Sequence, residues 1–403
     1  MAGFHPFRGV RYAGDATGPS LDPVICPPYD VISSDDRAAL VARDDHNAVR
    51  LEVPDSYGGA AALLREWLDT GVLAADGEPS FYAYRMQFAD EDGQARSTTG
   101  VLGALDLPEP GTAGEVLPHE HTTPKDRADR LDLLRATRTN LSPVWMLTAA
   151  PLSRFAPVEA RAPDASAVDR DGVVHELWRL DDPATVAAIR DAVAAAGPVL
   201  VADGHHRFEV ANAYRAEVEG DAATGATGAG RLLTFLVELA DDQVAVRAIH
   251  RLLSGLPEGF DLVGALSEHF DVTPTTPPDG TILTRMDEVG ALALLTRDGT
   301  WLLRPTASTL AAAGHDLDSS RLDVAVDALR AAGVAHELTF QHGWDLVAAA
   351  VDKGQAQAGV LLRPATVAQI ADVGRGGKRM PPKTTFFHPK LATGMVFRSL
   401  DLG

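Results

Sequence analysis

Short apolar runs and helical repeats alternate along this chain, and one junction between the two patterns is well defined. Residues 199–202 are four apolar residues in a row, long enough for a short buried strand, and Asp203-Gly204 ends the run. Apolar side chains then recur on one helical face from residue 210 to residue 218, and Gly220 is a natural helix end. This stretch therefore predicts a strand, a turn and a helix.

The same reasoning predicts elements in other parts of the chain. Helical spacing predicts helices over residues 60–69, 127–138, 261–270, 322–329 and 344–351. Apolar or alternating runs predict strands over residues 79–88, 94–105, 232–239, 291–296, 300–304 and 359–362. The first two strands form a hairpin with its tip at 90–93, and 232–239 is expected beside 199–202. Another helix runs between the N-cap Asp182 and Gly197.

Three stretches lack a regular period. Residues 1–35 are rich in turns, and Asp30 is expected to act in a turn or to cap a helix that begins near Ser33. Residues 151–171 predict a loosely structured excursion, and residues 220–230 predict a surface loop or lid.

From Val244 onward strands and helices alternate, which indicates a separate C-terminal part. The pattern as a whole predicts an α/β fold of α+β organisation. It divides the chain into an N-terminal α/β region (1–115), a core (116–240) and a C-terminal α/β region (241–403).

Composition narrows the class of protein. The chain has 403 residues, a hydrophobic fraction of 45% and a formal net charge of −20, from 56 acidic residues against 36 Lys and Arg. This balance fits a globular protein and argues against a general nucleic-acid binder, which needs a basic surface to displace counterions. Cys26 is the lone cysteine, and no apolar run approaches the ~18 residues of a membrane span. We therefore expect a cytoplasmic protein without nucleic-acid or membrane partners, while its oligomeric state stays open.

Five residues that can bind a ligand or take part in catalysis lie at the turn between the predicted strand and helix: Asp203, Gly204, His205, His206 and Arg207. A glycine turn before a helix directs backbone N–H groups and the positive end of the helix dipole to one point, which suits a phosphate group. Arginine can add a forked contact to the same anion. The alternative is that the histidines and the arginine are ordinary helix-start residues that satisfy one another.

A second concentration of reactive side chains precedes the helix predicted at 127–138. Six ionisable residues lie within nine positions, namely His119, Glu120, His121, Lys125, Asp126 and Arg127. The segment is too rich in proline and threonine for a regular helix, so it is either a solvated turn or a site. The H-x-H spacing suits a metal such as zinc, but two ligands alone are a weak signal.

The final segment, residues 374–398, stands out by charge. It has six Lys or Arg residues and no acidic residue, in a chain whose net charge is −20. This makes it a candidate anion-binding loop, or else a basic tail that packs on the acidic body. Its glycines do not match a phosphate-binding Walker loop, because Arg379 follows Lys378 and the spacing differs.

Together these clusters supply what phosphoryl transfer needs, namely positioning, charge neutralisation and one base. Glu120 is the candidate base for the proton of an attacking hydroxyl. Asp203 is a candidate Mg²⁺ ligand, because a carboxylate with phosphate oxygens is a usual Mg²⁺ environment. Lys378, Arg379 and Lys383 are expected to close over the donor phosphates.

Short motifs sharpen this prediction. DGHHR at 203–207 resembles the signature of the ParB and sulfiredoxin-like superfamily, in particular of its free serine kinases. Those kinases carry an upstream P-H-E-x-T stretch with the proposed base, and residues 118–122 match it. PPYDVIS at 27–33, VRLEVP at 49–54 and RMPPKTTFFHPK at 379–390 make nearly the whole chain similar to the family called domain of unknown function 1015.

The resemblance implies a ParB/sulfiredoxin-like catalytic core at 116–240 with a long insertion that loops out, because 83 positions separate Glu120 from Asp203. It implies free L-serine as acceptor and ATP, ADP or pyrophosphate as donor, with Mg²⁺. The expected catalytic residues are Glu120, Asp203 and His205. The expected phosphate- or nucleotide-binding residues are Gly204, His205, His206, Arg207, His119, Thr122, Lys125, Arg127, Lys378, Arg379 and Lys383.

Two other functions stay open. One is a nucleotide-binding or nucleotide-hydrolysing regulator, as partitioning proteins of the same superfamily are. The other is a sulfiredoxin-type reductase, whose chemistry needs a cysteine at the loop; Cys26 would have to fold into the site.

Overall fold

A computed structural model of the protein describes residues 3–14, 20–90, 93–109, 115–117, 124–158, 160–219, 228–375, 380–381 and 383–402, without the side chains of 124–126 and 374–375. The chain forms two compact units. Unit 1 contains Met1–Ala245 and Pro389–Gly403, and unit 2 contains Val246–His388. Within the described ranges, no helix is both long enough and apolar enough to span a bilayer.

The strands are numbered along the chain. In the described residues they are β1 (Phe4–His5), β2 (Gly9–Tyr12), β3 (Leu73–Ala75), β4 (Phe81–Ala89), β5 (Ala95–Asp106), β6 (Val116–Leu117), β7 (Thr139–Asn140), β8 (Val144–Thr148), β9 (Ala165–Val168), β10 (Val174–Leu180), β11 (Val199–Asp203), β12 (Arg231–Glu238), β13 (Ala245–Arg247), β14 (His250–Ser254), β15 (Phe270–Thr275), β16 (Leu292–Thr296), β17 (Gly299–Pro305), β18 (Glu337–Gln341), β19 (Ala358–Leu361), β20 (Phe386–His388) and β21 (Phe397–Ser399).

The helices are numbered in the same way. They are α1 (Ser34–Arg43), α2 (Val49–Glu52), α3 (Tyr57–Asp69), α4 (Pro124–Thr137), α5 (Pro183–Ala196), α6 (His205–Glu219), α7 (Leu262–Leu266), α8 (Ile282–Val289), α9 (Ala307–Ala312), α10 (Asp318–Ala331), α11 (Trp344–Asp352) and α12 (Val367–Arg375), with 3₁₀ helices at Tyr29–Val31 and Ser153–Phe155. The predicted α/β class is confirmed.

Unit 1 is built on a mixed sheet. In the described part of the chain it has nine strands in the order β6-β11-β8-β12-β5-β4-β10-β9, with β1 beside β5. The predicted hairpin is confirmed, since β4 and β5 are antiparallel and Ala89 lies opposite Ala95. Helix α5 has the predicted ends, because Asp182 caps the amide of Thr185 and Gly197 follows the last turn with φ 83°.

The strand order corrects one prediction. β12 does not lie beside β11, because β8 lies between them, antiparallel to β11 and parallel to β12. Residues 144–148, for which periodicity alone gives no element, form this strand, and all five are buried. A short apolar run between two other strands is stabilised by burial on both faces, which local sequence does not reveal.

The chain between the two motifs corrects another prediction. It does not loop out as an insertion, because β8, β9 and β10 belong to the same sheet as β6 and β11. Residues 151–171 are also more regular than expected. They contain the second 3₁₀ helix and β9, which pairs with β10.

The predicted helix start near Ser33 and the turn at Asp30 are confirmed, whereas other helices have boundaries that differ from the predicted ones. Ser33 caps α1, because its hydroxyl accepts from the amide of Asp36 at 3.1 Å, and Asp30 lies in the preceding 3₁₀ turn. Helix α4 begins three residues earlier than predicted. The helix expected over 261–270 ends at Leu266, and Phe270 already begins β15.

The end of the chain returns to unit 1. β21 pairs with β2 and β7 in a second sheet of order β3-β2-β21-β7. Arg398 in β21 is 1% exposed and donates hydrogen bonds to the carbonyl oxygens of Gly228 and Arg231. These contacts fix the C-terminal segment that follows Pro389 in unit 1.

Unit 2 is built on an antiparallel sheet of order β15-β17-β16-β19-β14-β18. Alternate residues of its strands face opposite sides, as the strand period requires. Helix α10 covers one side through a cluster that includes Leu322 and Val326. Helices α8 and α11 cover the other side through Met286 and Val347. The strands and the two long helices predicted after residue 290 are confirmed.

Close packing in the central strands of unit 1 gives a stability test. A Cβ atom at Gly100 would lie 2.2 Å from the backbone oxygen of Leu236, which cannot move without breaking the ladder. We expect Gly100→Ala to lower the free energy of unfolding by about 1–3 kcal/mol, measured by urea denaturation. Gly77→Ala is the matched control, because a Cβ there meets nothing within 4 Å. Equal stability of the two variants would contradict this packing.

Candidate functional site

The predicted strand, turn and helix are present as β11, Gly204 and α6. The register between β11 and β8 shifts just before Asp203, a bulge that redirects the side chain at the strand end. Gly204 has φ 95°, and a Cβ there would lie 3.0 Å from Nη2 of Arg207, so both conformation and space favour glycine. Helix α6 begins at His205, which directs its first amides and positive dipole end toward this turn.

Asp203 lies at the centre of this junction and is paired with two cations. Nζ of Lys390 donates to Oδ1 at 2.5 Å, and Nη2 of Arg207 donates to Oδ2 at 3.3 Å. Burial would raise the pKa of Asp203, but the charges of Lys390 and Arg207 outweigh it and lower the pKa to about 2. The carboxylate is therefore ionised and carries two nearby positive charges.

Arg207 is fixed in position by hydrogen bonds to other residues of the chain. Besides its contact with Asp203, its Nη1 donates to the carbonyl oxygen of Pro143 at 2.7 Å, and the side chain is 11% exposed. A cavity of about 50 Å³ lies against it, lined also by Glu52, Arg130 and Ser142. The observed contacts make Arg207 a support for Asp203, whereas its predicted contact with phosphate stays a prediction.

Tyr29, which belongs to the motif at residues 27–33, lies beside the strand-turn-helix junction. Its hydroxyl lies 3.4 Å from Nδ1 of His206, and the guanidinium of Arg130 lies 4.4 Å from the centre of its ring. Burial raises the pKa of the Tyr29 hydroxyl, so this group is neutral and can donate a hydrogen bond. Arg130 also donates to the carbonyl oxygen of Glu52, in the motif at residues 49–54, at 2.7 Å.

The elements that flank the P-H-E-x-T stretch lie beside the junction. β6 is parallel to β11, with Val116 opposite Val199 and Leu117 opposite Leu200. On the other side of the stretch, α4 packs against α6. Nη1 of Arg127 lies 3.5 Å from Oε2 of Glu209, so this predicted site residue contacts the helix that starts at His205.

Several predicted site residues lie outside the described ones, namely His119, Glu120, Thr122, Lys378 and Arg379. The zinc candidate His121 also lies there, and of Lys125 only the backbone, in α4, is described. The structure brings together Asp203, Gly204, His205, His206 and Arg207. Lys383 belongs to unit 2, where it is exposed with φ 58°.

Sequence reasoning missed Tyr29 and Lys390. Both occur in the motifs that carry the family resemblance, Tyr29 in PPYDVIS and Lys390 as the last residue of RMPPKTTFFHPK. Charge counting selected Lys378, Arg379 and Lys383 in the same segment and passed over Lys390. The signal that could have identified both residues is their position in these motifs. Local charge does not show that a lysine contacts a carboxylate 187 positions away.

The described residues do not fit a resident Mg²⁺ at Asp203. Lys390 and Arg207 already contact its two oxygens, which gives the trio a net positive charge that repels a divalent cation. No group of three or more His, Cys, Asp or Glu side chains suited to a metal occurs among the residues that the structure describes. Asp203 therefore acts here as the partner of two cations.

These features define an α/β protein with a strand-turn-helix junction at which the carboxylate of Asp203 contacts two cationic side chains. The chain belongs to the family described as "Protein of unknown function (DUF1015)", whose model matches residues 4–325.

Several solved structures are similar to part of this chain. A conserved hypothetical protein from Pyrococcus furiosus is 13% identical, with 72% of this chain and 94% of that chain covered and a TM-score of 0.37. A free serine kinase in complex with AMP is 13% identical, with 68% and 83% covered and a TM-score of 0.36. SbnI from Staphylococcus aureus, truncated at its C-terminus, is 13% identical, with 72% and 85% covered and a TM-score of 0.36. No curated protein matches this chain.

The lowered pKa of Asp203 predicts how stability changes with pH. A carboxyl whose pKa falls from 3.8 to about 2 on folding contributes about 2 kcal/mol at neutral pH. This contribution is complete above about pH 4 and is lost as pH falls through the folded pKa. We expect Asp203→Asn to be less stable than wild type by about this amount at pH 7, measured by urea denaturation.

The difference between Asp203→Asn and wild type should shrink as pH falls from 4 toward 2. Asp171→Asn, in an exposed turn, is the control and should follow the wild-type curve. A stability difference independent of pH across this window would contradict the ion-pair assignment.

Proposed function

We propose that this protein is a phosphotransferase that moves a phosphoryl group from ATP, ADP or pyrophosphate to a small hydroxyl metabolite, with free L-serine as acceptor. The single observation that carries the proposal is the parallel pairing of β6 with β11. These strands lead into the P-H-E-x-T and DGHHR motifs, so both motifs start at one edge of one sheet. The two motifs are 83 positions apart in the sequence, but the pairing of β6 with β11 places the strands that precede them side by side.

Chain length supports Glu120 as the base. Glu120 follows Leu117 by three residues, which extended chain spans in at most about 11 Å. Leu117 pairs with Leu200, which itself precedes Asp203 by three residues. The next described element, α4, packs on α6 and carries Arg127. Both flanks of the motif thus lie next to the elements that hold the DGHHR residues.

The proposed reaction assigns a role to each group. The acceptor hydroxyl gives its proton to Glu120, its oxygen forms a bond to the terminal phosphorus, and the bond from that phosphorus to the donor oxygen breaks. The turn at Gly204 and the start of α6, with His205 and His206, hold the donor phosphates. Lys390 adds positive charge beside them, and Asp203 fixes the position of that lysine.

The remaining predicted groups complete the proposal. His119, Thr122, Lys125 and Arg127 would contact the nucleotide or phosphate from the P-H-E-x-T side. Lys378, Arg379 and Lys383 stay predicted phosphate-binding residues. Phosphorylation of a free amino acid would place the protein in amino-acid metabolism.

The alternative functions make different predictions. A nucleotide-binding regulator would hydrolyse nucleotide slowly, at a rate that serine and other alcohols do not change. A sulfiredoxin-type reductase needs a reactive thiolate, but Cys26 is 2% exposed, and burial together with Glu52 raises the pKa of its thiol. The buried thiol therefore argues against reductase chemistry at this cysteine.

The central test combines a substrate screen with removal of the base. ATP, ADP and pyrophosphate are each combined with serine, homoserine and related alcohols, and the phosphorylated product is quantified by mass spectrometry. We expect Glu120→Gln to lower the rate by about 10² to 10⁴, because it removes the general base. Glu258→Gln, at an exposed position of unit 2, is the control. A wild-type rate in Glu120→Gln would show that Glu120 is not the base. The absence of phosphoryl transfer in every combination would overturn the proposed activity.

Lys390 gives an independent test of the donor site. Lys390→Met should lower kcat/KM for the phosphoryl donor by about tenfold to hundredfold, the usual effect of losing a charge-assisted hydrogen bond, while Lys390→Arg should restore part of it. Lys383→Met should have a smaller effect, because Lys383 is exposed whereas Lys390 is 15% exposed and fixed on Asp203. Circular dichroism checks that each variant is folded. A larger loss at Lys383 would contradict this assignment.

A further inference from the structure

A buried carboxylate without an ion pair lies in unit 1, outside the groups to which the proposed reaction assigns a role. Glu52, the last residue of α2, is 2% exposed. Its Oε1 accepts from Oγ of Ser142 at 3.0 Å, and this is the single hydrogen bond to the carboxylate among the residues that the structure describes. One hydroxyl compensates little of the cost of burying a negative charge, so Glu52 is suited to receive a cationic group.

A small cavity adjoins this carboxylate. Glu52 and Ser142 line the cavity of about 50 Å³ that lies against Arg207. This volume holds roughly three to five water molecules, and an ammonium group is close to a water molecule in size. Much of the remaining wall is apolar, which strengthens an ion pair inside it, and consists of Leu133, Leu134, Leu141, Val210 and Leu232. The cavity therefore suits an ammonium group together with the carbon atoms attached to it.

The two arginines that line the cavity do not neutralise Glu52. Nε and Nη2 of Arg130 donate to Oδ2 of Asp129 at 2.7 and 2.5 Å. Arg207 is paired with Asp203. Of the three charged residues on the cavity wall, Glu52 is thus the one without an ion pair in the described part of the chain.

A divalent metal ion does not fit this cavity. Glu52 supplies the single carboxylate among the described lining residues, whereas Mg²⁺ and Ca²⁺ require several oxygen ligands. The described ranges also contain no group of three or more metal-ligating His, Cys, Asp or Glu side chains. An ammonium group instead needs hydrogen-bond acceptors, and Glu52 together with Oγ of Ser142 offers them.

The cavity lies beside the start of α6. The charges of Glu52 and Arg207 both act on the hydroxyl of Tyr29. That hydroxyl lies 3.4 Å from Nδ1 of His206, in the first turn of the helix. A group bound at Glu52 is therefore close to the DGHHR residues, where the donor phosphates are proposed to lie.

We propose that Glu52 binds the ammonium group of the molecule that accepts the phosphoryl group, with Oγ of Ser142 as a second acceptor of its hydrogen bonds. The inference rests on the proposed transferase function and specifies its acceptor class, since the hydroxyl compound must carry a primary amine. The acceptor hydroxyl then extends from the cavity toward the start of α6.

Binding is measured on the full chain by isothermal titration calorimetry without a phosphoryl donor, so that the result does not depend on catalysis. L-Serine and L-homoserine are compared with their analogues without the amino group, 3-hydroxypropionate and 4-hydroxybutyrate. At least one amino acid should bind, and its analogue should bind at least about tenfold more weakly, because it loses a charge-assisted contact. No binding of either amino acid at about 10 mM would overturn the proposal.

A charge-removing variant locates the ammonium group. Glu52→Gln should weaken amino-acid binding by about tenfold or more and abolish the preference for the amino acid over its analogue. Without ligand, this variant should be at least as stable as wild type in urea denaturation, because it removes a buried charge that has no ion pair. Glu66→Gln, at an exposed position of α3 that does not line the cavity, is the control and should bind like wild type. Unchanged amino-acid affinity in Glu52→Gln would overturn the assignment.

This site and the proposed activity can fail separately. Amino-acid binding that depends on Glu52, without phosphoryl transfer from any donor, would support the site and overturn the activity. Phosphoryl transfer to serine with the same KM for serine in wild type and Glu52→Gln would support the activity and overturn the site.

Discussion

The ion pairs of Asp203 are the interaction on which unit 1 most depends. A carboxylate, an ammonium group and a guanidinium group are all less than one-fifth exposed there, and burying any of them alone would be costly. Together they satisfy one another and join three distant parts of the chain, since Lys390 is 187 positions from Asp203 and Arg207 also holds Pro143. Removing Asp203 leaves two buried cations without their anion, so this carboxylate specifies the junction as well as stabilising it.

Elements defined by local periodicity could be predicted from the sequence. Helix α5 has an aspartate cap, a proline in its first turn and a glycine after its end, and all three signals lie within the helix or next to it. The order of strands depends instead on contacts between distant residues. β8 separates β11 from β12 because the run Val144–Thr148 can be buried on both faces, and no neighbouring residue encodes that position.

The same distinction explains the site. Asp203, Gly204 and Arg207 form one local pattern, and the sequence was enough to predict the strand, the turn and the helix that carry it. The sequence did not predict the contact of Arg207 with Asp203, because it indicated a phosphate contact for this arginine. Lys390 and Tyr29 belong to the site only through tertiary contacts. Charge density singled out the basic segment, but it could not show that Lys390, among the residues that the structure describes, reaches Asp203.

The strand order of the sheet explains the long sequence separation between the two motifs. In sequence, 83 positions between Glu120 and Asp203 suggest an insertion that the fold must exclude. In the structure, the intervening chain supplies β8, β9 and β10, and β8 is the strand that supports β11 on the side opposite β6. The intervening residues therefore build the platform for the DGHHR turn. A deletion that brought the two motifs closer in sequence would remove a neighbour of β11 and, with it, the carbonyl of Pro143 that holds Arg207.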